Sequence, residues 1–212
     1  MERNTTAEPK ALMETRLTHQ THRLMTALLA EAAPRPSVPL AALAQLRDFL
    51  VAAIRHHHET EDNLLWPRLA EAAPAAARAL EELTDEHERL DTALDRLAAV
   101  AVDDEDARHA LHEAAVAVRD SVLGHLEHEE PILLPALRDH MSPAAWDDFA
   151  RQVIASTPPV ALHLMIGFLD EAGTPEEVKL LLGGLPEPAR PLVPAMRQQA
   201  HEELRVLRGS AA

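Results

Sequence analysis

Cysteine is missing from all 212 residues. Within this sequence that excludes disulfides, zinc–thiolate sites, iron–sulfur clusters and thiol nucleophiles, and it fits a reducing interior. Tyrosine is also missing, and aromatic residues make up only 2%. With β-branched residues scarce as well, extended strands are not expected. Glycine is rare, and no glycine-rich loop could cradle a phosphate. No Gly-x-Ser-x-Gly elbow is present either. Basic residues are outnumbered 20 to 35 by acidic ones, for a net charge of −15. That balance argues against nucleic acid or an anionic membrane as partner. No apolar run is long enough to span a bilayer. The polar start, Met1 to Thr6, predicts no secretory leader and a cytoplasmic location.

What is plentiful is alanine, leucine and histidine. Hydrophobic residues reach 47%, enough for a sizeable core, and the alanine and leucine behind that figure favour helix. Thirteen histidines are many for such a chain, unless some of them bind metal or titrate.

Two of the histidine-rich stretches are copies of one another. The first runs from His57 through Glu61 to Pro67, the second from His125 through Glu129 to Pro135, with the same displacement at all three pairs. Each carries His-x-x-x-Glu, which puts imidazole and carboxylate on one helical face. Upstream, Thr21-His22-Arg23-Leu24 and Glu86-His87-Glu88-Arg89-Leu90 repeat a lone histidine. The unit is a helix with one histidine followed by a helix with His-x-x-x-Glu, and it occurs twice.

Periodicity predicts the helices that carry these groups. One covers Lys10 to Ala32, ahead of Pro34, Pro36 and Pro39. The next has the stripe Leu43, Leu46, Leu50, Ile54, His57, Glu61 and Leu64, a bundle rhythm facing a core. A third, from Ala75 to Val100, sets His87 among Leu80, Leu83, Leu90, Leu94 and Leu97. A fourth carries Leu111, Ala115, Val118, Val122, His125, Glu129 and Ile132, and Pro131 is expected to kink or end it. Ser142-Pro143 and Thr174-Pro175 read as starts of further short helices, and a last helix is expected from about Pro191 to Leu207. The expected architecture is all-α: an up-down four-helix bundle over residues 10–140, followed by additional C-terminal helices over 141–212. That extension is expected to pack on the bundle or on a partner chain, a homodimer included.

Six inward donors are too many for one tetrahedral zinc. Two cations bridged by two carboxylates, each also holding two histidines, use all six, and imidazole with carboxylate suits iron, manganese, zinc or copper. Without cations, a leucine core would carry buried charge at a cost of several kcal/mol per unpaired group, as a rough figure. His-Glu-x-x-His and Glu-x-x-His do not occur, so zincin and ferritin-type patterns are absent. His19 shares nearly the same helix face as His22, and Glu130 adjoins Glu129. The match to His87 favours His22, and the heptad phase favours Glu129. His56, His58 and His128 are expected to flank the site as solvent-facing or outer groups, and Trp66 to pack near the helix end.

This alternation of lone histidine and His-x-x-x-Glu resembles the hemerythrin-like (HHE cation-binding) family over residues 10–140. The resemblance implies a four-helix bundle with two iron ions joined by an oxo or hydroxo bridge and reactive toward O2, with zinc or manganese as alternatives. Carried over by position, the metal ligands are His22, His57, Glu61, His87, His125 and Glu129, with the two glutamates bridging. The family's oxygen carriers have a fifth histidine one turn before the third-helix histidine, where this chain has Leu83. Their fourth-helix carboxylate also lies one residue further along, which here would select Glu130. The missing fifth ligand implies an open position on one iron. Sensing, storage or scavenging of O2, peroxide or nitric oxide then takes precedence over reversible oxygen carriage. A di-iron peroxidase, catalase-like enzyme or oxygenase, and a metal-stabilised interaction module, are the rival readings.

Overall fold

A computed structural model describes residues 8–209, and among them there is no strand. Helix α1 spans Lys10–Ala32, α2 Leu40–Thr60, α3 Trp66–Ala72, α4 Ala77–Ala98 and α5 Ala107–His140; the extension adds α6 Pro143–Ser156, α7 Leu162–Ala172, α8 Pro175–Leu182 and α9 Val193–Leu207. A π-helical turn, Glu61–Leu65, joins α2 to α3, and single 3-10 segments, Pro74–Ala76 and Glu187–Leu192, precede α4 and α9. None of these helices is long and apolar enough to cross a membrane.

Helices α1, α2, α4 and α5 form the bundle, each packing on two others in the cyclic order α1, α2, α4, α5. Side-chain pairs give the directions. On α1 and α5, His112 Nδ1 meets the Ala30 carbonyl at 2.9 Å while Arg23 pairs with Glu130 at 2.8 Å. On α2 and α4, Arg55 pairs with Asp95, and His58 is 3.4 Å from Asp91. Rising numbers on one helix meet falling numbers on its neighbour, so both pairs are antiparallel, as short connections require. The proline-rich link between α1 and α2 leaves carbonyls without helical partners. Buried Arg108 accounts for three of them, donating to Ala33 O at 3.4 Å, Arg35 O at 3.0 Å and Val38 O at 2.8 Å.

The apolar stripes meet where the heptad rhythm places them: Leu43, Leu46, Leu50, Ile54, Leu90, Leu94, Leu97, Leu111, Val118 and Val122 are all buried in one cluster. A second cluster forms at the far side of the histidine layer, from Leu65, Leu69, Leu80, Leu83, Leu133 and Leu137 with Trp66 and Trp146. It bears on the expectation that Pro131 kinks or ends the fourth helix. Helix α5 does not end there but runs through Pro131 and Pro135 to His140. Each interior proline removes a rung, at about 3 kcal/mol. Burial of Leu133 between them and of Ala136 and Leu137 beyond them offsets this, at roughly 1.5–3 kcal/mol per leucine.

The extension packs on the bundle. Trp146 Nε1 donates to Glu14 at 2.7 Å, and Arg68 reaches Asp148 at 2.9 Å. Phe168 stacks on Phe49 with ring centroids 6.2 Å apart, and Leu204 and Leu207 join the main cluster. Arg35 donates to the Leu207 and Arg208 carbonyls, satisfying the open end of α9. Thr174 and Glu177 close a reciprocal capping box on α8.

Candidate metal centre

Both His-x-x-x-Glu pairs face the bundle interior. His57 Nε2 lies 3.3 Å from Glu61 Oε2, and His125 Nε2 lies 3.2 Å from Glu129 Oε2. Glu61 sits at the start of the π-helical turn. There the Trp66 N–H reaches back to the Glu61 carbonyl, one residue further than in an α-helix. Pro67, just beyond, has no N–H to give, and the chain passes the lost rung by widening this one turn. Such turns recur at functional sites. Here the turn carries both Glu61 and Asp62, whose carboxylates approach opposite nitrogens of His87, Nε2 and Nδ1 respectively.

The donors fall into two groups. His58, His87 and His125 form one; His19, His57, Glu61 and Glu129 form the other, and within each group the donor atoms lie within 4.8 Å of one another. The carboxylates link the groups. Glu61 Oε2, beside His57, is 3.7 Å from His87 Nε2; Glu129 Oε2, beside His125, is 3.6 Å from His19 Nε2. Each glutamate therefore stands between one histidine of each group, the placement that a bridging ligand needs.

Of the six residues singled out by sequence, five stand in these groups: His57, Glu61, His87, His125 and Glu129. His22 is buried too, but belongs to neither group, and its ring packs edge-on against His57 at 4.6 Å. His19, three residues earlier, reaches the centre instead. His58, expected to flank the site, is buried in it and stacks on His87, with ring centroids 4.1 Å apart and planes 8° from parallel. The three-histidine group is thus completed from α2, not from the α4 position that Leu83 occupies. Neighbouring His57 and His58 point into different groups because α2 meets both α1 and α4. A sequence signal existed only in the run of three histidines, His56 to His58, itself. Glu130 is outside both groups, held by His19 Nδ1 at 3.1 Å and by Arg23. Trp66 lies over His87, 6.1 Å between rings, and covers that side of the cluster.

Burial and mutual charge set the electrostatics. Glu61 is raised well above the usual carboxylate range, first by burial and then by the charge of Glu129. Burial opposes ionisation of Glu129 as well, but the nearby His19 and His125 draw it down to about 2. Burial lowers His57 well below its ordinary value, with His22 and His19 adding to the effect. It also takes His58 to about 4 despite the hydrogen bond to Asp91. These imidazoles are therefore neutral, the form that ligates a cation.

The donor set fits metal on an observation independent of pattern. Among the described residues, His19 Nε2, His57 Nε2, Glu61 Oε2 and both carboxylate oxygens of Glu129 are buried without a hydrogen-bond partner. Apart from these, only Arg35 Nε and Trp66 Nε1 share that state. Buried polar atoms are almost always satisfied, and five inward-facing orphans in one place call for a ligand. His87 Nε2 and His125 Nε2, 3.2 Å apart, tell the same story: two lone pairs so close need a proton or a cation between them.

A family model described as hemerythrin HHE cation binding domain matches residues 14–144. Comparison with curated proteins and with solved structures gave no match.

Proposed function

Since the chain belongs to the hemerythrin HHE cation-binding family, we propose that its bundle holds two iron ions and that the protein binds or reacts with O2, peroxide or nitric oxide in sensing, storage or scavenging. The observation that carries this reading is the pairing of two donor groups by two carboxylates, with their inward atoms lacking any other partner. One ion would be held by His58, His87 and His125, the other by His19 and His57, with Glu61 and Glu129 shared. Iron would supply electrons to, and take them from, a small diatomic or peroxide ligand.

The chain's own residues shape what can happen there. Two carboxylates would offset half the charge of two divalent ions, which lowers the electrostatic cost of holding them in a leucine core. An ion held by the group with fewer histidines would have the more open coordination, and the His22 ring packs beside that group against His57. Buried Trp66, Leu65 and Leu83 exclude bulk water on one side, and Met25, Leu50, Ile54 and Val122 on the other; a dry surrounding favours small, weakly polar ligands. Two grooves lie along α7, α8 and α9, and no site residue lines either of them.

Metal analysis with an optical spectrum in air tests the reading. Two irons per chain with ligand-to-metal charge-transfer absorption are expected; one zinc and a colourless protein would refute it. Glu61→Ala and Glu129→Ala should each reduce bound iron. Retention of both ions in either variant would overturn the bridging assignment.

A further inference from the structure

Outside the two donor groups stands a second set of acids. Asp62 Oδ1 is 3.1 Å from His87 Nδ1, Glu86 Oε2 is 3.0 Å from His125 Nδ1, and Asp91 Oδ1 is 3.4 Å from His58 Nδ1. Each reaches across from another part of the chain: Asp62 from the π-helical turn to α4, Glu86 from α4 to α5, Asp91 from α4 to α2. An ionised carboxylate only accepts, so Nδ1 is the nitrogen that carries the hydrogen. On His87, Nε2 is then left as an inward-facing lone pair; Nε2 of His125 also faces inward, and without a cation it carries the proton that the close approach to His87 Nε2 and Glu129 requires. The acids are themselves held: Thr84 Oγ1 donates to Asp62 at 2.7 Å, and His128 Nδ1 is 2.7 Å from Glu86.

The two donor groups are not served alike. All three histidines of the three-histidine group have such an acid. In the other group His19 has Glu130, whose carboxylate also pairs with Arg23. Among the described residues the His57 ring makes no hydrogen bond to any acid. Free imidazole can present either nitrogen and turn about its side-chain bonds. An outer carboxylate removes both freedoms before a cation arrives and makes Nε2 a stronger donor.

We propose that Asp62 and Glu86, with Asp91 in support, are positioning residues that lock the three-histidine group into its ligating tautomer, so that this position fills first and holds its cation more tightly than the His19–His57 position. The inference rests on the two-cation reading above and adds an order of filling and the residues that set it.

Anaerobic titration of the metal-free full chain with iron(II), followed by calorimetry, tests it. The unaltered chain should bind two ions in two resolved steps. Asp62→Ala and Glu86→Ala should weaken the tighter step by about 10–100-fold and leave the weaker step in place, with helical content unchanged by circular dichroism. Asp62→Asn and Glu86→Gln keep an acceptor oxygen and should recover much of the loss, which a simple packing defect would not explain. Equal weakening of both steps, or no change in either, would overturn the proposal. Nitrogen NMR of the chelated protein near neutral pH gives a second measure without metal: His87 and His58 should carry hydrogen on Nδ1, and hydrogen on Nε2 of His87 would defeat the lock. Failure of the underlying reading looks different, because the unaltered chain would then bind no iron at all. Failure of the present inference leaves an unaltered chain with two ions and variants that load just as it does.

Discussion

His58 shows how much a single side chain in this layer contributes and at what expense. Its ring is buried between His87 and the rest of the cluster, and its pKa falls from 6.5 to about 4 because burial outweighs the hydrogen bond to Asp91. Between those two values the unfolded chain binds a proton at His58 that the folded chain does not. Stability therefore falls as pH drops from about 6.5 toward 4, by up to about 3 kcal/mol from this residue. His57 and His22, also lowered by burial, act in the same direction. Glu61 acts in the opposite direction: its raised pKa makes its contribution largest at low pH and lost as pH rises. For the chelated protein, the melting temperature should decline through this window, and His58→Gln should make the decline shallower. Parallel profiles for the two proteins would contradict a neutral, buried His58.

Among the elements, α7 and α9 depend on one close approach. A Cβ at Gly167 would lie 2.8 Å from both Ala200 Cβ and Leu204 Cδ1, so these helices touch almost backbone to backbone. Gly167→Ala should force them apart at about 1–3 kcal/mol, lowering the melting temperature by roughly 2–4 °C per kcal/mol. No residue of either donor group lies on α7 or α9, so the iron content of the variant should match the unaltered chain. A variant that melts normally would show that the packing gives way at little cost. The π-helical turn is the other element with a particular consequence. It lets the chain pass Pro67 while Glu61 stays toward the donors and Asp62 reaches Thr84 and His87.

For the whole molecule, cations held by these groups would enter the fold's own energetics. Binding only to the folded chain adds about 2.7 kcal/mol when free metal is a hundredfold above its dissociation constant. In a chain of this size that corresponds to roughly 5–10 °C in melting temperature. Calorimetric scans of iron-loaded and chelated protein should differ by about this much. Coincident scans would mean that the bound ions do not engage the interior groups. The extension also belongs to the same body, since Phe168, Leu204 and Leu207 share a core with Phe49 and Leu50. Its helices thereby brace α1 and α2, which carry His19, His57 and His58.

Much of this was legible in one dimension. The repeat of His57–Glu61 by His125–Glu129, and the heptad stripes around them, determined a helical bundle with an interior cation site, because spacing alone fixes which side chains share a helix face. Periodicity also placed α1 at about Lys10 to Ala32, between its flanking prolines, where it lies. Three things were decided only by tertiary structure. The choice between His19 and His22, one turn apart on the same helix, depends on how α1 is rotated against α2 and α5, and packing along its whole length sets that rotation. The inward turn of His58 depends on α4 lying beside α2, so that one of two adjacent histidines faces each neighbour. The run of α5 through two prolines depends on Trp66, Leu80, Trp146 and their neighbours, which bury its far end; local rules at Pro131 see only the missing rung, not the core beyond it.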